Sequence, residues 1–275
     1  MSGAGYDLHI HSSYSDGSLT PAELVEHAVK IGLDGIALTD HDTVDGIPET
    51  IRAAQEKNLR FIPGVEITTD YGDVEAHILG YGIDYRHPEL VAKFETLMAA
   101  RIDRAKEMVN KLNRHGIPVT WEMVEQHSNG RFIGRPHIFK ALIAMDLVQP
   151  AYRRQYFEHY LGQNGLAYVP HQEIETGEAI QLILKAGGIA VLAHPGRQGT
   201  QLFIEELMDY GLKGLEVYYP AHDAATVRHL LSLARRYQLV VTGGSDFHGD
   251  MGHGQMGESV VPDISWAEGL LAGSN

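Results

Sequence analysis

The chain has 275 residues, 44% of them hydrophobic and 21% charged, with no cysteine and a net charge of −14. No run of about 18 apolar residues spans a membrane, and no basic start with an apolar core marks a signal peptide. Disulfides and thiolate metal sites are excluded, so any metal here is held by His and carboxylate, a donor set that suits Zn, Mn or Fe. The expectation is a cytoplasmic α/β protein, long enough for one domain carrying an insertion.

The acidic excess is uneven. Residues 86–167 carry 12 Lys and Arg against 8 Asp and Glu, and the remainder carries 10 against 28. The acidic part suits cations and disfavours long duplexes, whose binding needs several phosphate contacts. The mildly basic part suits a small anionic ligand.

In chain order, residues 7–10 of "YDLHIHSSYSDG" alternate as a strand, with Leu8 and Ile10 on one side and His9 and His11 on the other. Residues 21–31 read as a helix, with Thr20 as N-cap, Pro21 at its first position and Gly32 as its stop. A strand over 34–39, a helix over 46–57, and strands over 60–68 and 75–81 follow. From residue 88 to about 162 the pattern is helical, with segments at 90–115, 121–127, 136–145 and 152–161. Alternation then resumes: helix 178–186, strand 189–193, helix 201–210, strand 214–217, helix 224–237 and strand 239–242. Seven strands with interleaved helices predict parallel β/α construction interrupted by a helical insertion.

The chemistry collects after the strands. The first leads into His9, His11 and then Asp16, and the second into "LTDHDT" with Asp40 and His41. The third carries Glu66 and the fourth His77; the fifth ends in "LAHPG" with His194. The sixth runs into "EVYYPAH" with Glu216 and His222, and the seventh into "GGSDFHG" with Asp246 and His248. A parallel β/α barrel builds its active site at this end. His9, His11, Asp16, His41, Glu66, His77, His194, Asp246 and His248 are too many donors for one ion, and enough for two or three that share carboxylates. Such sites hydrolyse phosphate esters through a metal-bridging hydroxide.

The H-x-H of His9 and His11, "TDH" ending at His41, "GVE" ending at Glu66, "AHP" around His194 and "SDFH" ending at His248 together resemble the polymerase and histidinol phosphatase (PHP) superfamily of metal-dependent phosphoesterases. The resemblance spans nearly the whole chain outside the insertion. "GRPHIFKAL", from Gly134 to Leu142, is similar to the branch that includes nucleoside 3′,5′-bisphosphate phosphatases and enzymes that trim the 5′ ends of short RNA.

The resemblance implies a distorted (β/α)7 barrel from residues 1–86 and 168–275, with 87–167 a helical insert covering the substrate. It implies two or three divalent ions (Mn, Fe or Zn) on three positions. His9, His11, Glu66 and Asp246 would hold the first, with Asp246 partnering the metal-bound hydroxide. Glu66 would bridge to the second, with His77 and His194. Asp16, His41 and His248 would hold the third; some members carry a histidine where Asp16 stands, and the harder oxygen donor leans this position toward Mn or Fe.

Around the metals, Arg135 and His137 of the basic segment suit a grip on phosphate. Arg197 is a candidate for the same anion, and His222 for binding phosphate or protonating the leaving oxygen. Asp42 and Asp45 read as acids at a helix N-terminus, a position the helix dipole favours; Asp40 reads either as such or as a support for the ligands. Tyr218 and Tyr219 read as packing. His27, His87, His115, His127, His159, His171 and His229 read as ordinary surface residues, and His253 stays unassigned beside the site.

The expected activity is hydrolysis of a phosphomonoester of a small nucleotide, such as a nucleoside 3′,5′-bisphosphate. The alternatives are a 5′→3′ exoribonuclease on short RNA, a histidinol-phosphate phosphatase, and a non-catalytic metal-binding module. The long insert counts against the second alternative and the full donor set against the third. The expected partners are a small nucleotide or short RNA, with no duplex DNA, no membrane and no obligate protein.

Overall fold

The computed structural model describes residues 5–72, 74–128, 132–170, 174–249 and 254–271, with the side chains of Arg197 and Gln198 outside the description. The chain divides into two compact units, Met1–Phe94 with Glu173–Asn275, and Glu95–Gln172.

The first unit is a mixed α/β layer. Strand β1 (Tyr6–Ile10) is buried throughout and leads to α1 (Pro21–Ile31). Thr20 caps that helix by accepting from the Glu23 N–H, and the Glu23 carboxylate accepts from the Thr20 N–H at 2.8 Å, a reciprocal capping box. Strand β2 (Gly35–Leu38), helix α2 (Ile47–Lys57) and strand β3 (Arg60–Tyr71) follow. Strands β1, β2 and β3 are parallel neighbours.

Here the structure departs from all-parallel construction. Strand β4 (Val74–Tyr81) runs antiparallel to β3, from Gly64 opposite Tyr81 to Tyr71 opposite Val74. The connection through Gly72, at φ 61, is too short for the crossover that a parallel pair needs, so the chain must turn back. A two-residue strand β5 (Ile174–Glu175) pairs with β3 and precedes α3 (Thr176–Lys185). Strand β6 (Ile189–Leu192) pairs antiparallel with β4, which restores the original direction. Strand β7 (Gly214–Tyr218), helix α4 (Ala224–Tyr237) and strand β8 (Val240–Gly243) continue in parallel. Among the described strands only β4 is reversed.

The sheet curls into a half-barrel. After β8 the chain returns to β1, where the His11 N–H donates to the Phe247 carbonyl at 2.9 Å. Gly244 makes this return possible, because a Cβ there would lie 2.4 Å from the His9 backbone nitrogen. Tyr6, Leu8, Ala37, Ile62, Leu79, Tyr81 and Val191 form a continuous apolar core that is closed by Val261, Ile264 and Ala267. Among the described residues no helix is long and apolar enough to cross a membrane.

The second unit is helical and has a core of its own. It contains most of the long helix Pro88–Arg114, then Trp121–Glu125, Arg135–Ala144 and Arg153–Leu161. Met108, Val109, Leu112, Val124, Ile138, Leu142 and Leu161 are buried together in it.

Candidate metal centre

The first strand delivers two imidazoles to one carboxylate. His9 Nε2 and His11 Nε2 each lie 3.1 Å from Glu66 Oε2. Asp246 Oδ1 is 3.4 Å from the first and 3.2 Å from the second. The alternation expected for β1 is not undisturbed, since its register against β2 shifts between Asp7 and Ile10, a bulge of the kind that re-aims side chains beside functional sites.

The other oxygen of Glu66 is as crowded. His77 Nδ1 stands 2.7 Å and His194 Nε2 3.0 Å from Oε1. Because β4 is reversed, His77 reaches the site from the first half of its strand, opposite Thr68. His41 Nδ1 is 3.4 Å from Glu66 Oε2. Toward the outside, Asp16 Oδ1 lies 3.2 Å from His248 Nε2 and 3.8 Å from His11 Nδ1. His11 therefore faces Glu66 and Asp246 with one nitrogen and Asp16 with the other. All nine residues singled out at the strand ends meet in one cluster.

Three sets of donor atoms each lie within 4.8 Å of one another: His9, His11, Glu66 and Asp246; His11, Asp16, His41 and His248; and His41, Glu66 and His77. His194 falls outside the third set although it shares a Glu66 oxygen with His77.

The residues fit divalent cations. His11 Nδ1 and Nε2, Asp16 Oδ1 and His77 Nε2 are buried without a hydrogen bond, and buried polar atoms of this kind need a partner. Donors held about 2.1 Å from one ion are separated by about 3.0 Å on an octahedral edge and about 3.4 Å on a tetrahedral one. The four contacts among His9, His11, Glu66 and Asp246 fall at those edges. The rings are crowded as well, with His11 stacked on His248 at 3.9 Å between centroids.

The electrostatics of the metal-free cluster are strongly coupled. Burial acts to raise Glu66, but His41, His9 and His77 outweigh it and hold the carboxyl well below its usual range. Asp16 is likewise held low against burial by His248, His41 and His11. Burial disfavours the charged form of His11, yet Asp246 and Glu66 raise it to about 9. Glu66 and Glu75 similarly raise His77 to about 10. His41 goes the other way, to about 3, because burial dominates.

Several further residues support the ligands, and of these only Asp40 kept such a role as a candidate from sequence. Glu216 accepts from His9 Nδ1 at 2.9 Å and from the His194 N–H at 2.7 Å. Asp7 ties β1 to the loop after β8, accepting from Ser245 N at 2.9 Å, Ser245 Oγ at 2.6 Å and Gly257 N at 2.8 Å. Asp40 holds the loop that carries Asp16 by accepting from Ser12 N at 2.7 Å, Ser12 Oγ at 2.6 Å and Ser15 Oγ at 2.6 Å, so its supporting role prevails over the helix-acid one. Asp42 is not a solvated helix acid: it is buried at φ 50 and accepts from the Thr68 N–H at 3.0 Å. Nor is Tyr219 mere packing, since its hydroxyl donates to Asp246 Oδ2 at 3.0 Å. The signal available in sequence was position for Asp7, Asp40 and Asp42, which lie within two residues of His9 or His41, whereas Glu216 and Tyr219 neighbour none of the nine donors. His194 and Asp246, at φ 28 and 53, join Asp42 in the left-handed region, a strain that persists where surrounding bonds impose it.

The expected substrate residues fare differently. His222 is buried, donates from Nδ1 to the Val217 carbonyl at 2.9 Å and accepts at Nε2 from the Gly196 N–H at 3.2 Å. Both of its ring nitrogens therefore face backbone groups. His137 is 2% exposed and caps its own helix by accepting from the Gly134 N–H at 3.3 Å. Arg135 opens that helix in the second unit. The Arg197 side chain, His171 and His253 lie outside the described residues. Of the other histidines, His115, His159 and His229 are exposed, and His27, His87 and His127 are half-buried, and none of them is a member of the three donor sets.

The PHP domain matches residues 7–245. A 3′,5′-nucleoside bisphosphate phosphatase from Chromobacterium violaceum is 34% identical over 262 residues, 91% of either chain. A 5′-3′ exoribonuclease from Haemophilus influenzae is 35% identical over 268 residues, 94% of this chain and 97% of its own. A crystal structure from Bifidobacterium adolescentis, described as a metal-dependent phosphoesterase, superposes with a TM-score of 0.88 at 36% identity, covering 94% of this chain and 93% of its own. With its histidines and carboxylates gathered on Glu66, the chain belongs to the PHP domain family and is a metal-dependent phosphoric ester hydrolase.

Proposed function

We propose that the substrate is a phosphomonoester of a small nucleotide carrying a second phosphate, such as a nucleoside 3′,5′-bisphosphate. The observation that carries this reading is the bisphosphate phosphatase that is 34% identical across 91% of both chains. The basic balance of residues 86–167 supports it, because a second phosphate needs a cationic contact away from an acidic metal cradle.

In this reading His9, His11, Glu66 and Asp246 hold the first ion. Glu66, with His77 and His194, holds the second, and Asp16, His41 and His248 hold the third. Ions bound there supply Lewis acidity, which offsets charge on a phosphoryl group and acidifies water. The side chains of His41 and His77 are each 14% exposed and that of Asp16 10%, against 1% for Glu66 and none for His9 and His11. The phosphoryl group therefore meets the cluster from the side of His41, His77 and Asp16. Tyr219 keeps the Asp246 carboxylate turned, and Arg135 reads the second phosphate. His222 positions the Gly196 backbone through Nε2. The architecture that carries this chemistry is the distorted (β/α)7 barrel, with the helical unit as its insertion.

The exoribonuclease at 35% identity favours a second reading, in which the same cluster cleaves 5′-terminal diesters of short RNA. Incubation with Mn²⁺ separates the two. Inorganic phosphate released from adenosine 3′,5′-bisphosphate, at a rate exceeding mononucleotide release from a labelled oligoribonucleotide, supports the phosphatase. Stepwise mononucleotides without phosphate release refute it. Arg135→Ala raises KM for the bisphosphate more than for the corresponding monophosphate; equal effects on both would remove Arg135 from this role.

A further inference from the structure

The geometry points to Glu216 as a positioning residue that sets the donor atoms of two ligands at once. One of its oxygens is 2.9 Å from His9 Nδ1 and the other 2.7 Å from the backbone N–H of His194. The side chain is fully buried on β7. This inference rests on the metal-binding reading above and adds a residue with no direct place in it.

Three observations meet at Glu216. The first is chemical. The His194 N–H can only donate and a carboxylate can only accept, so the second oxygen of Glu216 draws the His9 proton to Nδ1. A carboxylate satisfies both groups and a carboxamide of the same shape does not. A proton held at Nδ1 leaves the lone pair of His9 on Nε2, the nitrogen that faces Glu66 Oε2 at 3.1 Å and Asp246 Oδ1 at 3.4 Å. An outer carboxylate that fixes the tautomer of a ligating imidazole is a general device of metal sites.

The second observation is backbone strain. His194 sits at φ 28 and ψ 50, a conformation non-glycine residues avoid. The bond from its N–H to Glu216 is one restraint that holds it there, with its ring 3.0 Å from Glu66 Oε1. The third is sheet register. The β1–β2 ladder shifts between Asp7 and Ile10, and the β7–β8 ladder shifts between Glu216 and Tyr218. The two irregularities fall at the residues that bond each other across the curled sheet, and bulges re-aim side chains. Glu216 thus joins the two sides of the Glu66 carboxylate: His9 on Oε2 and His194 on Oε1.

The test uses full-length protein stripped of metal and titrated with Mn²⁺, and the same protein loaded with Co²⁺ for its visible spectrum. In Glu216→Gln the amide NH₂ must face one of two donors, so His9 or His194 loses its orientation. We expect Mn²⁺ affinity to fall by about ten- to a hundredfold and the Co²⁺ ligand-field bands to shift, while circular dichroism matches the wild type. Unchanged affinity and spectrum in the variant, with a wild type that binds Mn²⁺, overturn the role of Glu216 and leave the metal reading standing. A wild type that binds no Mn²⁺ overturns both. Should the variant fail to fold, ¹⁵N-histidine spectra of Zn²⁺-loaded wild type decide. His9 protonated at Nδ1 and ligating through Nε2 supports the assignment, and ligation through Nδ1 contradicts it.

Discussion

The half of the cluster built on Glu66 and the half built on Asp16 use the same residue types but hold them differently. Glu66 lies within β3 and is met by four imidazole nitrogens at 2.7–3.1 Å. Asp16 lies on the loop before α1, with one imidazole at 3.2 Å and the next at 3.8 Å. Asp40 keeps the loop in place through Ser12 and Ser15, whereas paired strands fix Glu66 directly. Sites carried on strands are held more tightly than sites carried on loops. On the proposed metal reading, the inner half would hold its ions more tightly than the outer half.

The largest expected effect breaks the inner half. Glu66→Ala removes the carboxylate that His9, His11, His77 and His194 share. It lowers phosphate release roughly a thousandfold or more, the equivalent of about 4 kcal/mol of transition-state stabilisation. Elemental analysis of the variant shows loss of all tightly held metal. A variant that keeps its metal content would remove Glu66 from the centre of the account.

A smaller effect separates the halves. Asp16→Ala loses only the most weakly held ion, and its activity falls about tenfold, which corresponds to about 1.4 kcal/mol. Excess Mn²⁺ restores part of that loss, and the stoichiometry of the tight ions stays at the wild-type value. Loss of every ion in this variant would show that the two halves bind as one.

The smallest effect is one of pH. In the metal-free protein Asp246 and Glu66 overcome burial to hold His11 at about 9, and Glu66 and Glu75 hold His77 at about 10. Both rings carry protons at pH 7 that an incoming ion must displace, so metal binding releases protons and tightens as pH rises toward 9. The raised values also stabilise the metal-free fold. That contribution is complete below about 6.5, the ordinary histidine value, and is lost as pH rises through 9 and then 10. Calorimetry in buffers of different ionisation enthalpy measures the protons released; none released at pH 7 would contradict the coupling to Glu66.

Local signals carried much of this architecture. Thr20, Pro21 and Gly32 bound α1 at the residues where the structure begins and ends it. Short apolar runs or alternations mark seven of the eight described strands, and β5 is too short to leave a pattern. Strand direction was the principal error: the tight connection at Gly72 signals a hairpin, and only a hairpin lets His77 enter from the first half of β4. Within the cluster, donors that follow a strand were legible because strand ends share one side of the sheet. Glu216 was not, because its partner His9 is 207 residues away and nothing local records the pairing. Tyr219 and Asp42 were missed for a similar reason, since each looks ordinary until the fold brings it to Asp246 or Thr68.

The most direct measurement is anomalous diffraction at the manganese edge from crystals grown with Mn²⁺. The account predicts a peak bounded by His9, His11, Glu66 and Asp246, a second on the Glu66 side of His77 and His194, and a weaker third beside Asp16. Active crystals with no peak in contact with Glu66 would contradict it.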